Sequence, residues 1–135
     1  MKNIRAQASV EYLTLFGTIL IIVALLAGYS LVIYSETLAS NQIGSSIKKV
    51  EIAAKNVYSL GEGNSLVIEI SLPSGVNAFE AVNKHILVEA NTFSAVASSI
   101  AEFDFNVSGS LPTSEGTYDI EVKNVNGTVT FNVIE

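Results

Sequence analysis

The residue types able to carry chemistry are few in this chain of 135 residues. There is one histidine, His85, and no cysteine. Disulfides, thiolate metal sites and cysteine nucleophiles are therefore excluded. A single histidine also excludes multi-histidine zinc sites and weakens any Ser/His/Asp arrangement. Two acid pairs, Glu102 with Asp104 and Asp119 with Glu121, lie two residues apart. On strands each pair would share a face, a spacing that could hold calcium but is ordinary for a solvated sheet face. There is no Gly-rich phosphate loop, no HExxH and no nucleophile elbow. These absences give no expected catalytic, metal or cofactor residue, and the expectation is a protein that is not an enzyme. Two N-glycosylation sequons are present, Asn106-Val-Ser108 and Asn126-Gly-Thr128; such acceptors suit an outer, secreted face.

One further acid stands out by its position. Glu11 opens a stretch of 24 residues, from Tyr12 to Ser35, without a charge. About 20 apolar residues in a helix cross a bilayer core, so this run is long enough to span with some tilt. It is too long for the apolar region of an ordinary secretory signal, which runs roughly 7–15 residues. Lys2 and Arg5 precede it, and no basic residue follows before Lys48. The positive-inside rule puts the N-terminus in the cytoplasm and everything after about residue 36 outside. Tyr12 at one end, with Tyr29 and Tyr34 towards the other, are placed as interfacial anchors.

The residues around Glu11 carry a family resemblance. Gln7-Ala8-Ser9-Val10-Glu11-Tyr12 resembles the Q-x-S-x-E-Y signature of class III signal peptides, found on archaeal type IV pilin-like proteins. The resemblance implies that residues 1–6 are a leader, cut between Ala6 and Gln7 by a membrane-embedded prepilin peptidase. The apolar run then stays on the mature subunit. It implies an extracellular pilus, polymerised from the membrane by an ATPase-driven assembly platform, with identical subunits as partners. Gln7, Glu11 and Tyr12 become the expected assembly residues. Cleavage exposes an ammonium group at Gln7, four residues from Glu11. In a filament core a buried carboxylate needs a partner, and the expected one is the free amine of a neighbouring subunit. Two other classes stay open: an archaellin, from which the Gln-x-Ser-x-Glu-Tyr pattern points away, and a membrane-anchored minor pilin or binding protein that does not polymerise alone.

The elements that must position these residues follow from periodicity. Gly17, Ala24 and Gly28 fall near one face of the apolar helix, where small residues allow close helix approach. Ile43, Ile47, Val50, Ala54 and Val57 recur at helical spacing, with Lys48, Lys49, Glu51 and Lys55 off the stripe. Gly61 is a plausible C-cap. The expected element is one helix over 7–61, of about 54 residues and near 80 Å, with an apolar first half and an amphipathic second half. The Ser, Asn and Gly cluster over 40–44 suggests a bend.

From residue 62 to 135 the chain reads as a β-rich extracellular head. Alternation predicts strands over 66–72, 85–90, 92–97, 102–107, 118–122 and 129–133, and Asn126-Gly127 marks a hairpin. About 75 residues of sheet could not bury a large core alone, so the helix stripe is expected to complete it. The fold class is α+β: a long N-terminal helix with a C-terminal antiparallel sheet, type IV pilin-like. After the cut, five basic residues face 13 acids, a net of −8; this argues against nucleic acid as a main partner.

Overall fold

The computed structural model describes residues 2–91 and 96–134, with side chains from Ser9 onward. One helix, α1 (Lys2–Leu60), precedes five strands: β1 (Ser65–Leu72), β2 (Val76–Asn91), β3 (Val96–Ser110), β4 (Gly116–Val125) and β5 (Thr128–Ile134). Of the strand expected over 92–97, residues 92–95 lie outside the described residues, and Val96 and Ala97 open β3. Contact density separates two compact units, Met1–Ser35 and Glu36–Glu135. The second half of the helix thus belongs to the head.

Helical structure runs through residues 40–44 without interruption and stops where the backbone chemistry stops it. Gly61 takes φ +92, a left-handed conformation that favours glycine, and its N–H donates to the Tyr58 carbonyl at 3.2 Å. The Asn64 amide then donates to the carbonyls of Leu60 (2.8 Å) and Gly61 (3.2 Å), filling acceptors the helix end leaves open.

The expected stripe is the buried one. Ile43, Ile47, Val50, Ala54 and Val57, joined by Ala53, share one core with side chains from all five strands. Val50, Val57, Ile70, Ile86, Ile120, Val122, Val129 and Phe131 are almost wholly enclosed. The helix also closes an open sheet margin. The Ser46 hydroxyl donates to the Ser71 carbonyl at 2.7 Å and the Lys49 ammonium to the Glu69 carbonyl at 3.1 Å, both on edge strand β1. Capped carbonyls make that part of the edge a poor template for another strand.

Strand order is β1-β4-β5-β3-β2. Three pairings are antiparallel, as expected, while β3 and β5 run parallel over residues 106–109 and 128–131. The sheet is therefore mixed. Asn126 (φ +52) and Gly127 (φ +76) form the expected tight turn between β4 and β5, with both central residues left-handed as a type I′ turn requires.

Strand β2 departs from simple alternation. Its 16 residues would reach about 50 Å if extended. Yet the Asn91 N–H donates to the carbonyl of Gly75, immediately before the strand, at 2.8 Å. The strand must double back, and the place is the register irregularity between Asn83 and His85, where Asn83 has φ +58. The bulge also switches which residues point inward: Phe79 and Ala81 before it, Ile86, Val88 and Ala90 after it. Asparagine is among the few non-glycine residues that tolerate this conformation.

Candidate functional site

The first unit is an apolar helix with no cover. Every described residue from 9 to 35 is exposed, apart from half-buried Gly17 and Val32. Leu25 and Leu31 are each 70% exposed and Tyr12 75%. Each large apolar side chain left in water forgoes about 1.5–3 kcal/mol, so the segment as a whole forgoes on the order of tens of kcal/mol. A surface of that kind is made to be covered by lipid or by protein. The helix is long and apolar enough to cross a membrane, and none of its most apolar stretch is buried within the chain.

Its Ser and Thr hydroxyls are arranged for a water-free surrounding. All four hydroxyls of Ser and Thr in the run are spent on the helix's own carbonyls. Thr14 donates to Glu11 (2.9 Å) and Val10 (3.1 Å), Thr18 to Thr14 (2.8 Å), Ser30 to Leu26 (2.9 Å) and Ser35 to Val32 (2.8 Å). Hydroxyls bonded in this way need nothing from solvent. The alternation of apolar residues with such hydroxyls could have been read from the sequence; the bonds could not.

Glu11 is exposed at the start of this surface, and its carboxylate has no ion-pair partner among the described residues. Tyr12 is exposed beside it. Ala6 and Gln7 fall within the backbone span of α1, and their side chains lie outside the described residues. Residues 7 and 11 of one helix are a turn apart and share a face. A Cβ added at Gly17 or Gly28 meets nothing within 4 Å, so the chain's own packing does not require glycine at either position.

The head's polar groups are dispersed. Glu102, Asp104 and Asp119 are exposed, and Glu121 is half-buried. Among the described residues no three His, Asp or Glu side chains gather as a metal site would need. His85 Nε2 stands 3.7 Å from a Glu102 carboxylate oxygen, with both side chains mostly in solvent; such a surface pair contributes little. Asn106 and Asn126 are both exposed, the first within β3 and the second in the β4–β5 turn. Two buried polar residues escaped the sequence reading. Ser46 is the edge cap already described. Asn124 is 3% exposed, with its side-chain carbonyl unpartnered; it continues the inward series Tyr118, Ile120, Val122 and could have been found from that spacing.

Comparison of the chain with protein-family models, with curated proteins and with solved structures finds no match to any of the three.

Proposed function

We propose that the chain is the precursor of a pilin, the major structural subunit of an extracellular type IV pilus-like filament serving surface adhesion. The observation that carries the reading is the uncharged helix surface over residues 12–35, its Ser and Thr hydroxyls bonded to the helix's own carbonyls and none of its residues buried, in a chain whose remaining apolar stripe is buried in its own head. In the membrane, lipid covers that surface; in the filament, the same helices of identical subunits cover it. Hydrophobic packing supplies cohesion. Glu11 supplies register by pairing with the ammonium group that cleavage between Ala6 and Gln7 exposes on a neighbour. The prepilin peptidase and the assembly ATPase with its platform are the implied partners. The precursor resides in the cell membrane and the product on the cell surface.

The same helix equally suits a membrane-anchored minor pilin or binding protein that does not polymerise, and an archaellin would share it. Electron microscopy of surface filaments, with mass spectrometry of their main band, separates these readings. The pilin reading expects filaments whose principal protein is this chain beginning at Gln7. Recovery of the chain only in membranes, beginning at Met1, would refute it; recovery in a rotating filament would select the archaellin.

A further inference from the structure

The two sequons, 20 residues apart in sequence, meet in the fold. The parallel pairing of β3 with β5 sets Asn106 directly beside Thr128. Asn106 is the acceptor of the first sequon, and Thr128 is the hydroxyl residue of the second. On the other side of β3, Asn83 pairs with Val107, next to the register shift between β2 and β3. Together these strands enclose an open cleft of about 350 Å³, lined by Val82, Asn83, Asn106, Ser108 and Thr128 among others. That volume is at the low end of small-molecule pockets, which run from roughly 300 to 1,000 Å³. Among the described residues no charged side chain lines it. Amide and hydroxyl groups beside one exposed aliphatic residue (Val82, 55% exposed) suit a neutral sugar: its hydroxyls pair with the former and the C–H face of its ring rests on the latter.

We propose that each subunit carries one N-linked glycan, on Asn106, with its first sugar seated in this cleft. The donor is an oligosaccharide linked through phosphate to a lipid. The bond formed joins Asn106 Nδ2 to the anomeric carbon. The bond broken joins that carbon to the donor's phosphate oxygen, which leaves with the electron pair, while one amide proton passes to the transferase's base. A sugar seated in the cleft covers Thr128, the residue by which a transferase would recognise Asn126. Modification at Asn106 therefore leaves Asn126 bare. Asn126 has its own role in the left-handed turn.

This inference rests on the outward placement of the head in the function proposed above, and one experiment reads the two separately. The native chain and the variants Asn106→Gln, Ser108→Ala and Asn126→Gln are recovered from the producing cells and analysed by intact mass and peptide mapping. The native chain is expected to carry one glycan, on the peptide containing Asn106. Asn106→Gln and Ser108→Ala remove it, and Asn126→Gln keeps it. Ser108→Ala matters because it leaves the acceptor side chain in place. Bare Asn106 in the native chain, or glycans on both asparagines, overturns the proposal. The N-terminal peptide in the same spectra reports on processing. A chain starting at Gln7 with bare Asn106 sinks the glycan alone; one starting at Met1 with a glycan on Asn106 sinks the pilin reading alone.

Discussion

Replacing Gly109 by alanine tests the parallel β3–β5 pairing, the least expected feature of the head. Gly109 has φ +149 and pairs with Phe131. A Cβ there would lie 2.4 Å from the Phe131 carbonyl oxygen, 2.8 Å from its nitrogen and 2.9 Å from its Cβ. The obstacles are mainly backbone, so no side-chain rotation relieves them; one strand must move, and the four register pairs of this ladder move with it. Gly61 is the control. It also has positive φ, +92, but a Cβ there meets nothing within 4 Å. Alanine at Gly61 costs only the backbone conformation, about 1–2 kcal/mol. Alanine at Gly109 adds overpacking against fixed backbone, typically about 1–3 kcal/mol, for a total of about 2–5 kcal/mol. For a unit of this size each 1 kcal/mol moves the melting midpoint by about 4–8 °C. The assay is thermal unfolding followed by circular dichroism on the full chain in detergent. The expectation is a drop for Gly109→Ala at least about 4 °C larger than for Gly61→Ala. Equal midpoints would show that β5 does not lie against β3 at this position.

Three further outcomes follow from the same structure. Glu11→Ala should leave the chain in the membrane with its head folded, yet abolish surface filaments seen by electron microscopy; normal filaments would remove Glu11 from the assembly mechanism. A fragment of residues 36–135 should melt cooperatively, whereas residues 62–135, stripped of Ile43 through Val57, should give no cooperative transition in calorimetry; a folded shorter fragment would show that the sheet needs no helix. Ser46→Ala should lower stability by about 1–3 kcal/mol in urea unfolding, because Ser46 is only 3% exposed and its loss unpairs the Ser71 carbonyl, while Lys55→Ala should cost less than about 0.5 kcal/mol because its ion pair with Glu51 is a surface i,i+4 pair. Equal losses in those two variants would contradict the edge-cap account.

What the sequence disclosed was local. Helical spacing identified the stripe from Ile43 to Val57, glycine after Leu60 marked the helix end, and Asn126-Gly127 marked the hairpin. Each of those signals acts within about one turn of chain. The features that were not legible depend on residues far apart. The parallel partnership of β3 and β5 joins segments separated by a full antiparallel strand, and no side-chain pattern in either strand announces its direction. The doubling of β2 hinges on Asn83, a residue whose type permits positive φ without demanding it. Its effect was visible only as a misplaced boundary: alternation begins cleanly at His85, so the strand was expected to start there rather than at Val76. For the candidate assembly surface the position was legible and the chemistry half so. A run without charge says where a helix wants cover. That its Ser and Thr hydroxyls are already bonded inward, leaving Glu11 as the exposed acid at its edge, needed coordinates. The nearness of Asn106 to Thr128 was hidden for the same reason as the parallel pairing that creates it.

On the proposed function, the division of labour along α1 lets one helix serve both a stable head and a surface that changes its surroundings. The head's core begins at Ile43, so the residues that decide its stability come after the uncharged run has ended. Before residue 36, no described side chain is buried within the chain. A transfer of residues 12–35 from lipid to neighbouring helices exchanges one apolar surrounding for another, and little hydrophobic free energy changes hands. The Ser and Thr hydroxyls of the run need no new partner, because they are already bonded to carbonyls along the helix. In the proposed assembly, the group whose environment alters most is the carboxylate of Glu11, which leaves the membrane edge for a place where an unpaired charge is costly. On that proposal, cohesion is supplied by many side chains that discriminate poorly among positions along the helix axis, and discrimination by one that contributes little cohesion. On that proposal, a single charge at the end of an otherwise uncharged rod gives it a register.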